Sequence, residues 1–306
     1  MDHLRMEFIR SRGDADTAPP RPGGATDPRE ARSTAGTSPA GAHRGKQTDQ
    51  SDREEGGMTV QRKTALITGA GRNIGRAVAL GLAEDGFNVV VNGSSDRAAC
   101  DAVAAAARGF GVEAMVVMGD VGSAAECARI AAEAIARFGT VDVLVNNAAL
   151  RPAKPFLEMS EVEWQRVMAV DLDASVWLSR ACLPGMLARG WGRIVNFTGM
   201  NAMQGYGGRA PVSVAKHGVW GLTKALSKEF GPKGITVNAI SPGPIAADEE
   251  PTDAATTAYR AAAVAKVPLG RQGTPVEVAA MARLLVSTGG AYVNGQMLQV
   301  NGGAQT

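Results

Sequence analysis

Three glycines in the segment Thr68-Gly69-Ala70-Gly71-Arg72-Asn73-Ile74-Gly75 have the spacing of a phosphate-binding turn. The segment follows a β-branched run and opens a longer stretch with helical character. Glycines in such a turn let the backbone approach a pyrophosphate, and the free N–H groups of the following helix point towards its charge. The residues expected to hold a dinucleotide here are Gly69, Gly71, Arg72, Asn73, Ile74 and Gly75.

Short β-branched runs alternate with longer helical stretches throughout the chain after Met58. Strands are expected near residues 64–68, 88–91, 113–117, 141–145, 193–197 and 236–240, and helical stretches at 74–85, 123–138 and 161–187. Continuous apolar strands separated by helices indicate a parallel sheet covered on both faces. Crossovers of one hand then give a single doubly wound α/β Rossmann domain over residues 58–306, with its ligand at the carboxyl ends of the strands.

Composition narrows the kinds of partner that this chain can have. A net charge of +2 over 306 residues, with Lys and Arg scattered among acids, does not favour nucleic acid. The three cysteines form no Cys-x-x-Cys pair and only three histidines are present, so neither a disulfide framework nor a metal site is expected. No apolar run approaches the roughly 18 residues of a membrane-spanning helix. We therefore expect no membrane insertion, and a reducing, cytoplasmic setting.

Residues 1–57 differ sharply in composition from the rest of the chain. They are rich in Pro, Gly, Ser, Thr, Arg and Asp and contain no apolar run that could form a core. Such a composition predicts a disordered extension. Because Met58 begins a segment that is complete as a domain, the extension either precedes the natural start or is a functional flexible tail.

The glycine turn resembles the Thr-Gly-x-x-x-Gly-x-Gly fingerprint of the short-chain dehydrogenase/reductase family, and the resemblance continues to Gly303 with almost no shift in spacing. Asn73 replaces the middle glycine of the fingerprint. Asparagine tolerates unusual backbone angles better than most residues, so we expect the turn to form. The resemblance, which is to the 3-oxoacyl-acyl-carrier-protein reductases in particular, implies a Rossmann fold that binds a nicotinamide dinucleotide.

Further segments extend the resemblance and imply roles for their residues. Asp120-Val121 is similar to the pair that contacts adenine, and Asn147 lies in a segment similar to the family's Asn-Asn-Ala-Gly. Pro242, Gly243 and Ile245 resemble the loop that meets the nicotinamide carboxamide. The Asn-Asn segment also stabilises the sheet in the family, so Asn147 is expected to serve both purposes.

The charge around the end of the second strand bears on the choice of cofactor. Family members that use NAD place an acid there to hold both ribose hydroxyls. Here that region reads Asn92-Gly93-Ser94-Ser95, and Arg72 stands where the family often binds a 2′-phosphate with a basic residue. We therefore predict NADP. The alternative is that Arg72 is solvated and that Asp96 contacts the ribose of NAD.

The catalytic residues of the family are Asn, Ser, Tyr and Lys, and only the lysine is retained. Lys216 matches it, but the tyrosine four residues earlier is Val212, and the serine thirteen positions before that is Gly199. The helix asparagine is Asp171. A valine side chain can neither donate nor accept a proton, so the usual acid is missing.

No other alignment restores the motif. The three tyrosines are Tyr206, Tyr259 and Tyr292, and none is followed by lysine at the fourth position. A positioned general acid contributes on the order of 10²–10⁴ in rate and an oxyanion donor about 10²–10³, so their loss would leave a typical enzyme nearly inert. Lys216 remains useful because in the family it also binds the nicotinamide ribose.

Two residues are candidates to take over the missing chemistry. Asp171 is expected to pair with the Lys216 ammonium and hold both groups charged. Tyr206 precedes the helix of Lys216 and could bring a phenol into the pocket, or it is a packing residue. Ser213 is expected to make a local backbone hydrogen bond. Thr198 should face the side of the sheet opposite to the catalytic position, because side chains alternate along a strand. His217 is expected at the surface.

Three kinds of function remain open on this evidence. The first is an NADP-dependent oxidoreductase for an unidentified carbonyl or hydroxyl substrate, with a non-standard proton donor. The second is a non-reducing enzyme that uses Lys216 and Asp171 for proton transfer or elimination. The third is a cofactor-binding partner subunit without turnover. By resemblance, residues 246–269 form a substrate-side lid, and the chain assembles as a homodimer or homotetramer.

Overall fold

The computed structural model describes residues 62–248 and 254–306. The predicted disordered extension, residues 1–57, lies outside the described residues, as do residues 249–253 of the predicted lid. In the described part of the chain, no helix is long and apolar enough to cross a membrane.

Seven parallel strands form one sheet, in the spatial order β3-β2-β1-β4-β5-β6-β7. The predicted parallel sheet is therefore confirmed. The strands are β1 (Thr64–Ile67), β2 (Asn88–Gly93), β3 (Ala114–Met118), β4 (Val143–Asn146), β5 (Gly192–Phe197), β6 (Ile235–Pro242) and β7 (Met297–Val300).

Helices flank the sheet on both faces, which confirms the doubly wound Rossmann architecture. They are α1 (Asn73–Glu84), α2 (Arg97–Arg108), α3 (Ala124–Phe138), α4 (Glu161–Met168), α5 (Ala174–Arg189), α6 (Asn201–Gln204), α7 (Ala210–Phe230), α8 (Ala254–Val264) and α9 (Pro275–Val286).

Two apolar cores form, one on each face of the sheet. Alternate residues of a strand point to opposite faces, so Ala65 and Ile67 join one core while Leu66 joins the other. All four residues of β1 are buried. This explains why the strands read as continuous apolar runs rather than as alternating patterns.

The direction in which the sheet grows reverses at β1. Strands β2 and β3 lie on one side of it, and β4 to β7 lie on the other. At such a reversal the loops after the two central strands diverge and leave a crevice at the carboxyl edge. The glycine turn after β1 and the Asn147 segment after β4 meet there.

The long helical stretch predicted over residues 161–187 is interrupted. α4 and α5 are joined by one turn of π-helix, Ala169–Asp173. A π-turn carries an extra residue and shifts the helix face that follows, and such turns are frequent at functional sites. The apolar pattern alone does not show this insertion, because the buried positions continue on both sides of it.

Candidate active site

The glycine turn adopts the backbone conformation that its composition predicts. Gly69 has φ +60°, and Asn73, with φ +49°, is the one non-glycine residue with positive φ among the described residues. Asparagine is among the few residues that accept this region at modest cost. The prediction that the turn forms despite the missing glycine is confirmed.

Asn147 fixes the turn to the end of β4. Its side-chain amide donates to the carbonyl oxygens of Thr68 (2.9 Å) and Gly69 (3.1 Å), and its backbone N–H donates to the Thr68 hydroxyl (3.0 Å). The turn is thereby held from two directions, by its own strand and by the neighbouring one. The structural role expected for the Asn-Asn segment is confirmed.

Gly75 has no room for a side chain. A Cβ atom there would lie 2.2 Å from the Gly69 carbonyl oxygen and 2.6 Å from the Asn147 side-chain nitrogen. Because one of these neighbours is backbone, any larger residue must displace the turn itself. The close approach of α1 to the turn is the arrangement found in phosphate-binding turns.

Replacing Gly75 with alanine is expected to abolish NADPH binding and to lower the free energy of unfolding by about 1–3 kcal/mol. Fluorescence titration and urea denaturation measure these two effects. Gly221→Ala is the matched control, because Gly221 is also helical and a Cβ atom there meets nothing within 4 Å. Unchanged NADPH affinity in Gly75→Ala would show that this turn is not the cofactor cradle.

A cavity of about 1160 Å³ opens over the glycine turn at the carboxyl edge of the sheet. It is large enough for an extended dinucleotide. The predicted cofactor residues among its lining are Gly69, Gly71, Arg72, Asn73, Ile74, Gly75, Asp120, Val121 and Asn147.

The remaining predicted cofactor residues are not part of this lining; they are Pro242, Gly243, Ile245 and Lys216. Pro242 ends β6, and Gly243 donates its N–H to the Val300 carbonyl oxygen (3.0 Å). Ile245 pairs with Gly273 as a short parallel bridge. These contacts fix the start of the loop that follows β6, but they place it beside the cavity rather than within its walls.

Serine hydroxyl groups lie at the end of the cavity beside β2. In family members that use NAD, an acid occupies this position and binds the ribose. Here Ser94 and Ser95 line this end of the cavity together with the exposed Arg72. Asp96 also lines it, but its carboxylate accepts the Ala99 N–H (2.9 Å) and caps α2. One oxygen of the Asp96 carboxylate is therefore engaged in capping α2 at this end of the cavity.

Arginines that the motifs do not reveal add positive charge to the cavity. The lining contains five arginines against three aspartates, which leaves an excess of two positive charges. Arg166 pairs with Asp120 at 2.7 Å. Burial tends to raise the pKa of Asp120, but the Gly122 N–H and Arg166 outweigh it and hold that pKa below its usual range. The arginines not identified from the sequence are Arg76, Arg151, Arg166 and Arg260.

Lys216 and Asp171 form a buried ion pair, with Lys216 one helical turn after Val212. Lys216 lies on α7 and is 3% exposed, while Asp171 lies on the π-turn and is 1% exposed. Their Nζ and Oδ2 atoms are 3.3 Å apart. The other carboxylate oxygen accepts the Leu150 N–H at 2.6 Å. The structure therefore brings together the two residues that the sequence predicted to pair.

The surroundings of Lys216 make its ammonium a better proton donor than an exposed lysine. Burial lowers its pKa, Asp171 raises it, and the positive charge of Arg151 lowers it further, with a net lowering. A lysine with a lowered pKa releases its proton more readily at neutral pH. Burial of the pair also limits the screening of its charges by water.

Val212 and Gly199 stand where the family alignment predicts the tyrosine and the serine. Val212 is 2% exposed and packs one helical turn before Lys216. Gly199 has φ +98°, a conformation that a serine would adopt only with strain, although a Cβ atom there meets only the Pro242 carbonyl oxygen, at 4.0 Å. At Gly199 the backbone conformation, rather than a lack of space, disfavours a serine.

Tyr206 is half-buried on the turn that precedes α7. Its backbone N–H donates to the Ser213 hydroxyl (3.3 Å), and its carbonyl oxygen accepts the Arg209 N–H (3.1 Å). Ser213 thus makes the backbone hydrogen bond expected of it. Tyr206 is not part of the cavity lining, and its role as a substitute acid stays a prediction.

The other polar neighbours are engaged in local contacts. The Thr198 hydroxyl donates to the Ile240 carbonyl oxygen (3.2 Å) within the sheet. The His217 ring, exposed as expected, meets the Ser213 carbonyl oxygen through Nδ1 at 2.8 Å. Neither contact directs a proton towards Lys216.

Comparison with known proteins decides the family. A family model described as enoyl-(acyl carrier protein) reductase matches residues 69–305. The chain belongs to the short-chain dehydrogenase/reductase family. It is 36% identical over 241 residues to a 3-oxoacyl-acyl-carrier-protein reductase of Staphylococcus aureus, covering 79% of this chain and 97% of the relative. It is 39% identical over 247 residues to one of Synechocystis, covering 80% and 97%.

Solved structures agree with this family membership. An NAD(P)-dependent gluconate 5-dehydrogenase from Beutenbergia cavernae, described with bound NADP at low occupancy, superposes with a TM-score of 0.73 at 39% identity, covering 80% of this chain and 97% of that one. An acetoin dehydrogenase from Salmonella typhimurium gives a TM-score of 0.73 at 32% identity, covering 79% and 95%. Membership in this family of oxidoreductases and the fold are thus established together.

Proposed function

We propose that the protein is an NADP-dependent oxidoreductase that interconverts a carbonyl and a hydroxyl group, with Lys216 and Asp171 replacing the lost tyrosine as the proton donor. The observation that carries this proposal is the buried Lys216–Asp171 pair, 3.3 Å apart, at the position of the family lysine. The positively charged cavity over the glycine turn supports NADP binding. Ser94 and Ser95, which stand where family members that use NAD place an acid, support NADP over NAD.

The chain's own residues account for proton delivery. A bound nicotinamide dinucleotide supplies or accepts the hydride. During reduction the substrate oxygen takes a proton from Lys216 Nζ, and the resulting amine recovers a proton from solvent. Asp171 keeps Lys216 charged between turnovers, and its bond to the Leu150 N–H fixes the carboxylate. Val212 has no phenol ring, so the proposal requires the substrate oxygen to approach Nζ directly.

The pH dependence of reduction tests this assignment. Reduction needs protonated Lys216, so its rate should fall as pH rises through the Lys216 pKa. Because Asp171 raises that pKa, Asp171→Asn is expected to move the fall to lower pH. The measurement is the pH profile of single-turnover NADPH oxidation at saturating NADPH. An unmoved profile would exclude Asp171 as the group that tunes the donor.

The relatives suggest which compounds to try as substrates. Their names refer to 3-oxoacyl thioesters, acetoin and gluconate. The corresponding panel is a 3-oxoacyl thioester, diacetyl and 5-keto-gluconate, each mixed anaerobically with the protein and NADPH or NADH.

We also propose a homodimer or homotetramer, since α5 exposes Trp177 and Leu187 and α7 exposes Val214. Sedimentation velocity tests that proposal.

A second candidate function rests on the same site. Val212 and Gly199 occupy the positions that the alignment predicts for the catalytic tyrosine and serine, Val212 is buried, and the φ of +98° at Gly199 disfavours a serine. This favours a cofactor-binding partner subunit without turnover. The third candidate function is a non-reducing enzyme that uses Lys216 and Asp171 for proton transfer. Tight NADPH binding without oxidation across the panel distinguishes both from the oxidoreductase.

A further inference from the structure

Asn73 and Asp248, which both line the cavity, are joined by two hydrogen bonds, one donated by each backbone N–H. The Asn73 backbone N–H donates to the Asp248 carboxylate (2.7 Å), and the Asp248 backbone N–H donates to the Asn73 side-chain oxygen (2.8 Å). The same carboxylate pairs with Arg76 at 2.9 Å. These three contacts join residues about 175 positions apart in the chain.

The contact joins the start of α1 to the loop that follows β6. Asn73 begins α1 at the glycine turn. Asp248 follows the loop after β6, whose start is anchored by Ala246 donating to the Gly273 carbonyl oxygen (2.9 Å). Both Asn73 and Asp248 line the cavity, together with Ala247. The loop is therefore anchored at one end and held against the phosphate-binding turn at the other.

One of the two hydrogen bonds between Asn73 and Asp248 depends on the side chain of Asn73, which replaces the middle glycine of the family fingerprint. A glycine at position 73 would keep the N–H that reaches Asp248, but it would offer no side-chain oxygen to the Asp248 N–H. The positive φ of Asn73 turns its side chain towards the loop while its N–H faces the carboxylate. The substitution therefore adds a side-chain contact to the turn without preventing the turn.

We infer that Asn73 and Asp248 form a latch between the glycine turn and the loop after β6, and that this latch must open for the dinucleotide to leave. This inference rests on the proposed dinucleotide site. With the latch closed, the loop after β6 is bonded to the glycine turn at the cavity lining, and the inference is that a bound dinucleotide is released only when these bonds break. The strength of the latch then sets the rate of cofactor exchange.

The test is the rate of NADPH dissociation, measured by stopped-flow fluorescence after mixing the protein–NADPH complex with excess NADP⁺. Asn73→Gly removes one hydrogen bond and suits the positive φ, so dissociation should accelerate roughly two- to tenfold. Asp248→Ala removes the two contacts that the carboxylate makes, with the Asn73 N–H and with Arg76, and should accelerate it more. Ala124→Gly, at the first residue of α3, is the matched control for glycine at a helix start.

Hydrogen exchange provides a second readout that needs no cofactor. The peptide that contains Ala246 to Asp248 should exchange faster in Asn73→Gly than in the wild-type protein or in Ala124→Gly. Dissociation rates within twofold of wild type in both latch variants would overturn the latch and leave the cofactor site intact. Slower dissociation in Asp248→Ala would also overturn it, because the carboxylate would then be repelling the phosphates. A wild-type protein that binds no dinucleotide would overturn both proposals.

Discussion

Replacing Val212 with tyrosine is expected to accelerate carbonyl reduction by about 10²–10⁴-fold, the usual contribution of a positioned general acid. The substitution restores the Tyr-x-x-x-Lys spacing on α7, one turn before Lys216. The phenol would stand beside an ammonium whose positive charge favours loss of the phenol proton. Single-turnover oxidation of bound NADPH with the carbonyl panel measures the gain.

The matched control for this experiment is Val212→Phe. Val212 is buried, so either aromatic ring costs stability by overpacking, typically about 1–3 kcal/mol. Only the tyrosine adds a hydroxyl group. Equal rates in Val212→Tyr and Val212→Phe, with NADPH binding intact, would contradict the view that the missing hydroxyl limits the chemistry.

Breaking the Lys216–Asp171 pair is expected to lower the free energy of unfolding by about 3–5 kcal/mol. Asp171→Ala leaves the buried ammonium without its counter-ion and the Leu150 N–H without its acceptor. Lys216→Met leaves the carboxylate buried without its partner. The measurement is urea denaturation of each single variant and of Asp171→Ala combined with Lys216→Met, which removes both charges.

The double variant should lose less unfolding free energy than the two single variants lose in total, because no unpaired charge remains buried. Glu126→Ala serves as the control, since its ion pair with Arg129 is solvent-exposed and such pairs contribute little to stability. A loss in Asp171→Ala no larger than in this control would show that the buried pair is not coupled as its geometry indicates.

The sequence predicted those features that depend on local pattern. The β-branched runs identified six of the seven strands to within a few residues, because burial on both faces demands continuous apolar character. The glycine turn was recognisable because its backbone conformation restricts the residue types. The pairing of Asp171 with Lys216 followed from the family alignment, which places both positions near the same reaction centre.

Other features depend on contacts that no local pattern encodes. The π-turn that carries Asp171 arises within an apolar stretch that would suit an uninterrupted helix. Arg166 and Asp248 join the cavity from elements far along the chain from the glycine turn. The positive φ of Gly199 likewise follows from how the end of β5 meets α6, whereas a glycine in the sequence merely permits it.

The central claim is that this protein holds NADP at the family site and delivers a proton from the Lys216–Asp171 pair instead of a tyrosine. The most direct test is anaerobic single-turnover oxidation of saturating NADPH with the carbonyl panel, comparing wild type with Lys216→Met. We predict oxidation by the wild type that is well above the buffer rate with at least one carbonyl, and loss of that oxidation in Lys216→Met while NADPH is still bound. Bound NADPH that no carbonyl oxidises, or oxidation that survives Lys216→Met unchanged, would contradict the account.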